Sequence, residues 1–326
     1  MEAIQKFDYE RKMCMMFKNL LLAVLCFQSL YAYDFELDGV YYNIIDNVLK
    51  QVEVTHSGNP QNNQYQRGTY NLPDVVRYED VEYHVTSIGD SAFFSCRVWF
   101  SVNIPYSVTR IGNAAFQGSM LQSVNIPESV TSIGNGAFFN CSGLQYVDIS
   151  SGITSIGDST FFSCSGLMSV NIPESVTSIG NAAFQGCRAL QSVNIPESVT
   201  SIGNAAFQGC RALQSVNIPQ GVRTIGNAAF YYCSSLRSVN IPESVTSIGN
   251  GAFFNCSGLQ SVDISSGITS IGDSTFFSCS GLRSVNIPQS VTSIGNAAFQ
   301  GCRALQFVNI PESVTSIGNA AFSYCI

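Results

Sequence analysis

The chain has 326 residues, of which 45% are apolar, 11% aromatic and only 11% charged, whereas about 25% of the residues of an average soluble protein are charged. The net charge of −7 excludes a strongly basic nucleic-acid-binding protein, so we expect no nucleic-acid partner. The aromatic content argues against a disordered chain, and two histidines leave little room for histidine-based catalysis or metal binding.

Residues 1–32 have the pattern of a secretory signal peptide. Lys18 precedes an apolar stretch at 20–27, and Ala32 offers a small residue for cleavage. The stretch is too short to span a bilayer and no second one follows, so we expect an exported chain without a membrane span. Acidic residues near the beginning are unusual in a signal peptide and indicate a true start within Met13–Met16. The alternative interpretation is an apolar N-terminal helix.

A repeat with a period of 23 residues occupies residues 87–326. The phrase SIGNAAFQGCRALQSVNIPESVT recurs from Ser178, Ser201 and Ser293, and related copies fill the remainder of this range. A fixed period of this length with a leucine-centred apolar core is typical of a leucine-rich solenoid. We expect ten full units, one partial unit and no C-terminal cap.

The sequence of a single repeat predicts the local structure of that repeat. Apolar residues alternate with polar ones across 190–195, as in a short strand, and a proline then ends the strand. Gly203 is predicted to permit a tight turn, and Asn204 to cap a short helical turn over 205–207. The expected fold is an α/β solenoid, a leucine-rich-repeat horseshoe or arc with a parallel concave β-sheet and short helical or irregular convex turns.

The repeat pattern S-I-G-(N/D)-x-(A/T)-F-x-x-C-x-x-L-x-x-V-(N/D)-I-P-x-x-V-T resembles the Treponema-pallidum-type leucine-rich repeat of BspA-like bacterial surface antigens. Residues 33–86, with FELDGVYYNI and VEYHVTSIG, resemble the β-rich N-terminal cap of those proteins. The resemblance implies a secreted or cell-surface protein that binds extracellular or host surface proteins, such as fibronectin or fibrinogen, in bacterial adhesion.

Ten cysteines occupy the same place in successive repeats, and Ser119 interrupts this column. Equivalent side chains in a solenoid point the same way, so we expect buried free thiols rather than disulfides. Paired disulfides remain an alternative because the chain is expected to be exported. The cysteines are Cys96, Cys141, Cys164, Cys187, Cys210, Cys233, Cys256, Cys279, Cys302 and Cys325.

Catalytic motifs are not recognised in the sequence. His56 and His84 lie in the predicted cap without a nucleophile near them in sequence, and no G-x-S-x-G, H-E-x-x-H or P-loop pattern occurs. Asp148 and Asp263 replace an otherwise repeated asparagine and are interpreted as variants of that column. We therefore expect no enzyme, no catalytic residue, no cofactor and no metal.

The predicted concave face carries the candidate ligand-binding residues. Each strand presents Gln, Ser and Asn columns, and large side chains interrupt two of them. Aromatic residues and arginines are enriched at interface hot spots. The asparagines could instead form an amide ladder between strands, and neutral drift could explain the interruptions. The candidates are Asn194, Asn217 and Asn240 of the Asn column, Tyr146 and Phe307 in the Ser column, and Met168, Arg237 and Arg283 in the Gln column.

Residues 132–177 and 247–292 differ at three positions only: Tyr146/Ser261, Met168/Arg283 and Glu174/Gln289. This near-identity indicates duplication of a five-repeat block. Variation in the number of repeats by such duplication suits a surface antigen, and a protein-binding surface antigen is the function we predict. Two alternatives remain, a glycan-binding module and a passive stalk or variable surface antigen.

Overall fold

The computed structural model describes residues 33–56, 68–96 and 99–325, with only the backbone described at residues 99 and 100. The predicted signal segment, residues 1–32, lies outside the described residues. The described residues form a parallel solenoid of ten stacked coils behind a β-rich N-terminal region. We number the coils 1 to 10 in chain order.

Six strands precede the first coil, and they cover it at two places. β1 to β3 form an antiparallel meander, β5 pairs with β6 in antiparallel fashion, and β6 lies parallel to β3. β6 crosses the predicted boundary at residue 86 and pairs through Ser87 and Ile88 with β8 (Arg110–Ile111) of the first coil, while β4 pairs with β7 (Trp99–Asn103). These strands are β1 (Phe35–Leu37), β2 (Val40–Asp46), β3 (Gln51–Thr55), β4 (Gly68–Asn71), β5 (Val75–Tyr78) and β6 (Val81–Ile88).

Each coil contributes one short strand to a first parallel ladder. The strands pair in register, so that Ser192 lies opposite Ser215 and Asn194 opposite Asn217, and this pairing is interrupted once, between coils 4 and 5. The central valine is buried in the inner coils, half-buried at Val308 of coil 10, and flanked by polar or exposed neighbours, as period-two alternation requires. The strands are β7 (Trp99–Asn103), β9 (Ser123–Asn125), β11 (Tyr146–Asp148), β13 (Ser169–Asn171), β15 (Ser192–Asn194), β17 (Ser215–Asn217), β19 (Ser238–Asn240), β21 (Ser261–Asp263), β23 (Ser284–Asn286) and β25 (Phe307–Asn309).

A second parallel ladder, which the sequence interpretation did not include, runs beside the first. Its pairing stops between β10 and β12 and again between β20 and β22, five repeats later. The strands are β8 (Arg110–Ile111), β10 (Ser132–Ile133), β12 (Ser155–Ile156), β14 (Ser178–Ile179), β16 (Ser201–Ile202), β18 (Thr224–Ile225), β20 (Ser247–Ile248), β22 (Ser270–Ile271), β24 (Ser293–Ile294) and β26 (Ser316–Ile317).

The predicted helical turns are not found, because no helix occurs in the described ranges and the turns are irregular. Ala205 and Gly209 adopt φ of 55° and 73° in the left-handed region, which a right-handed helix excludes. Backbone N–H groups in this turn alternate between two kinds of acceptor: that of Cys210 bonds Phe207 within the turn, and that of Phe207 bonds Ala229 of the next coil. The helical part of the α/β prediction is therefore not confirmed. Accordingly, the described residues include no helix that could cross a membrane.

Gly203 and Asn204 have other roles than those predicted. A Cβ atom at Gly203 would lie 2.6 Å from the carbonyl carbon of Gly180, so the glycine permits close approach of two coils. Asn204 Oδ1 accepts a bond from the backbone N–H of Asn227 in the next coil at 2.8 Å. The same bond, from a backbone N–H to an Asn or Asp side-chain oxygen, recurs at every step from Asp90 to Asn319, so this column joins coils and caps no helix.

The core consists of stacked columns of identical side chains. Phenylalanine rings of successive coils are parallel, with Phe184, Phe207 and Phe230 centroids 5.3 Å apart. The nine cysteines from Cys141 to Cys325 are free thiols, as predicted. Cys210 Sγ donates to the carbonyl oxygen of Phe184 at 3.2 Å, and burial raises the pKa of this thiol to about 12.

Candidate ligand-binding face

The outward side of the first ladder is the face predicted to be concave. Because the strands pair in register, equivalent side chains form straight columns with a spacing of about 4.8 Å between coils. Buried valines fix the orientation of each strand, since a shift of one residue would expose the valine and bury its polar neighbours. The core therefore determines which residues a partner meets.

The three candidate asparagines lie exposed in one column. Asn194, Asn217 and Asn240 follow one another in coils 5 to 7, in register. Within the described part of the chain, their side chains make no hydrogen bond, so the amide ladder is not formed at these positions. It is formed at two other steps, where Asn103 Nδ2 donates to Asn71 and Asn171 Nδ2 donates to Asp148.

Two of the other candidates are neighbours. Tyr146 in coil 3 lies opposite Ser169 in coil 4, and Met168 immediately precedes that serine. Tyr146 is 49% exposed and Met168 is 46% exposed. We call these two residues the N-terminal group.

The remaining candidates lie near the other end of the ladder. Phe307 in coil 10 pairs with Ser284, which directly follows Arg283, and Phe307 is 79% exposed. Arg237 is exposed in the same column two coils before Arg283, about 10 Å away. We call these three residues the C-terminal group. Seven coil steps, or about 34 Å, separate Tyr146 from Phe307, so the structure does not bring all predicted residues together.

A cleft beside the N-terminal group was missed by the sequence interpretation. Its volume is about 380 Å³, and its walls come from coils 1 to 4. Two local departures from the repeat could have indicated it. Tyr106 stands where other repeats have Glu, Gln or Ser, and Ser150 and Ser151 replace a Pro-Glu pair. The polar and aromatic residues of its lining include Tyr106, Asn125, Glu128, Asp148, Ser151 and Asn171.

The face is built for non-covalent contact. Hydroxyl and amide groups dominate it, and they can donate and accept hydrogen bonds without a change in protonation. The described residues hold no group of three or more His, Cys, Asp or Glu side chains that could bind a metal ion. His84 lies exposed in β6 of the N-terminal region, outside the cleft lining.

A family model described as the BspA type leucine rich repeat region matches residues 86–214 and 200–326. These two matches together cover every coil of the solenoid. No curated protein matches the chain. The repeat and the family resemblance predicted from the sequence are thereby confirmed.

Several solved structures are similar over most of the chain. A leucine-rich repeat protein from Bacteroides ovatus is 27% identical, with a TM-score of 0.60, covering 90% of this chain and 93% of its own. A leucine rich cell surface protein from Faecalibacterium prausnitzii is 31% identical, with a TM-score of 0.50 and coverage of 89% and 92%. The pneumococcal vaccine antigen PcpA is 18% identical, with a TM-score of 0.57 and coverage of 90% and 85%, and its likeness concerns the fold alone.

Proposed function

The chain belongs to the BspA-type leucine-rich-repeat family, and we propose that it is a secreted or bacterial cell-surface scaffold that binds proteins outside the cell without catalysis. Its partners in this proposal are extracellular or host surface proteins of the fibronectin or fibrinogen kind, and its role is adhesion. One observation carries the proposal. The exposed face of the first ladder presents polar columns interrupted by a few large side chains, and the candidate asparagines in these columns keep their amides available for a partner.

The dimensions of this face suit a protein partner. Ten stacked strands at about 4.8 Å extend over about 43 Å, in two paired runs that meet between coils 4 and 5, and this is long enough for a standard interface of about 800 Å² per partner. Tyr146, Arg237, Arg283 and Phe307 belong to residue types that dominate binding energy at such interfaces. The asparagines between them offer amide groups that a partner's backbone can pair with.

The surface location rests on two observations. The signal pattern in residues 1–32 predicts export, and a solved protein that is 31% identical is a cell surface protein. The absence of catalysis in the proposal rests on the repetition itself. An active site needs groups that differ from one another, whereas the coils supply the same side chains again and again.

Binding of the purified protein to immobilised fibronectin and fibrinogen at physiological salt tests the proposal. Tyr146→Ser and Phe307→Ser restore the residue that neighbouring coils carry, and Arg237→Gln and Arg283→Gln do the same for their column, so the fold should be retained. We expect saturable binding that weakens at least about tenfold when the group in contact is replaced.

The matched control is Tyr232→Gly, which removes an exposed ring from the turn side and installs the residue found at Gly209. It should leave binding unchanged. Unaltered binding in all four face variants would contradict a site on this face. Saturable binding to neither protein would contradict adhesion to this class of partner and favour the passive stalk.

A further inference from the structure

The cleft of coils 1 to 4 has the size of a small-ligand site. Its volume of about 380 Å³ lies within the range of about 300–1,000 Å³ that such sites usually have. Its lining extends over three coil steps, or about 14 Å, from Tyr106 in coil 1 to Asn171 in coil 4. An elongated ligand of a few rings fits this shape.

An exposed aromatic ring forms one end of the cleft. Tyr106 is 75% exposed, and within the described residues its ring stacks on no other ring. A tyrosine offers an apolar ring face and a polar hydroxyl tip, which suits a ligand with an apolar face and polar edges. Tyr146 lies outside the lining and presents another exposed ring on the same strand face as Asp148, two residues before it.

Hydrogen-bonding groups form the floor of the cleft beyond Tyr106. Asp148 Oδ1 accepts a bond from Asn171 Nδ2 at 2.7 Å, which orients the carboxylate and leaves Oδ2 as an acceptor for a ligand. Asn125 supplies a further amide, and Ser151 an exposed hydroxyl group. Donors and acceptors side by side complement a ligand with several neighbouring hydroxyl groups, each of which donates and accepts.

The charge of the lining excludes an anionic ligand. Asp148 and Glu128 are the charged residues of the lining, and no lysine or arginine accompanies them. A phosphate, a sulfate or an acidic sugar would meet two like charges with no opposite charge beside it. A neutral ligand pays no such penalty.

The duplicated block provides an internal comparison. Residues 247–292 repeat Asp148, Ser150 and Ser151 as Asp263, Ser265 and Ser266. However, the second block has Ser261 at the place of Tyr146, and Gln220 stands two coils earlier at the place of Tyr106. The polar residues of the floor therefore occur twice, whereas, within the described residues, the bond from Asn171 to Asp148 and the exposed rings occur only at the first copy.

We propose that the cleft formed by Tyr106, Asn125, Asp148, Ser151 and Asn171 binds a neutral oligosaccharide, with a sugar ring against Tyr106 and its hydroxyl groups on Asp148 and the amides. The second copy, which lacks the rings, binds none. This site lies apart from the C-terminal group and adds a second kind of ligand to the proposed protein-binding face.

Titration of the full chain with neutral oligosaccharides tests the site. The probes are di- to tetrasaccharides of glucose, galactose and N-acetylglucosamine, with sialyllactose and a galacturonic acid trimer as anionic comparisons. We expect at least one neutral probe to bind with a stoichiometry of one, and the anionic probes not to bind. Tyr106→Gln and Asp148→Asn install residues that other coils carry at these places, and each should weaken binding at least about tenfold.

A gain of function makes the test sharper. The double variant Gln220→Tyr with Ser261→Tyr gives the second copy both rings and should raise the stoichiometry from one to two. Phe307→Ser is the control, because it alters the C-terminal group and should leave saccharide binding unchanged. No saturable binding of any neutral probe would overturn the proposal, and so would equal affinity in Tyr106→Gln or stronger binding of an anionic probe. Fibronectin and fibrinogen stripped of glycans test the protein-binding proposal separately.

Discussion

The glycine column sets how closely the coils can stack, and Gly203→Ala tests this role. Gly203 does not adopt a left-handed φ, so its backbone conformation does not require a glycine. A Cβ atom there would lie 2.6 Å from the carbonyl carbon of Gly180 and 2.7 Å from the backbone nitrogen of Asn181. Carbon atoms pack at about 3.5 Å, so the two coils would have to separate by about 0.9 Å.

Such a separation strains two hydrogen bonds at once. Gly203 N–H donates to Ile179 at 2.8 Å, and Asn204 N–H donates to Asn181 Oδ1 at 2.9 Å. Each bond contributes about 0.5–1.5 kcal/mol, and overpacking adds about 1–3 kcal/mol of strain. Alanine restricts the unfolded chain and returns about 0.4–1 kcal/mol. The expected loss in the free energy of unfolding is therefore about 3 kcal/mol.

Gly209→Ala is the matched control in the same coil. Gly209 has a left-handed φ of 73°, and the nearest atoms to its added Cβ would lie 3.8 Å away, so space is available. Ala205 already adopts a φ of 55°. The left-handed conformation costs an alanine about 1 kcal/mol, and part of this is offset in the unfolded state.

Urea denaturation and hydrogen exchange would measure both variants. In a solenoid each coil contacts only its neighbours, so Gly203→Ala should weaken one interface and speed exchange at the amides of Gly203 and Asn204. Gly209→Ala should leave these amides protected. Equal free energies of unfolding for the two variants, within about 1 kcal/mol, would refute the steric role of the glycine column.

Three further predictions concern the other columns. Asn204→Ala removes the acceptor of the Asn227 N–H and should lower the free energy of unfolding in urea by about 1–2 kcal/mol. Asn204→Asp should leave this free energy unchanged, because Asp158 and Asp273 make the same bond. Phe207→Ala should cost about 3–5 kcal/mol in the same measurement, since it leaves a gap in the ring column. Burial raises the pKa of Cys210, Cys256 and Cys302 to about 12, from about 8.5 in an unfolded chain. The contribution of these thiols to the free energy of unfolding should therefore be fully present below about pH 8.5 and be lost as the pH rises towards 12. Urea denaturation at successive pH values measures this loss.

The sequence was sufficient to predict the first ladder and the core. Alternating residues such as Ser192, Val193 and Asn194 specify a strand with one buried side, and their recurrence every 23 residues specifies the stack. The second ladder was missed because each of its strands has only two residues, which is too short for a period. The turn geometry was also missed, since Ala205 is a good helix former and its left-handed φ is imposed by bonds to the next coil.

The candidate site was predictable only in part. Residues that interrupt a column, such as Tyr146 and Phe307, are visible in an alignment of the repeats, and the structure places both on the exposed face. The cleft depends on neighbours contributed by four different coils. The second departure from the repeat at the cleft is Ser150 in place of a proline. This residue does not face a ligand, because it is buried and its hydroxyl donates to the carbonyl oxygen of Val130.

The duplicated block shows how the solenoid separates stability from binding. The three differences between its copies fall at Tyr146, Met168 and Glu174, and all three side chains are exposed, as are their counterparts. None belongs to the columns of Gly203, Asn204, Phe207 and Cys210, which join one coil to the next. Those columns accept only replacements that keep the contact between coils, such as Asp158 for an asparagine or Ser119 for a cysteine, because each column links a coil to its neighbour. Exposed positions carry no such constraint, so new binding surfaces arise there at little cost to the fold.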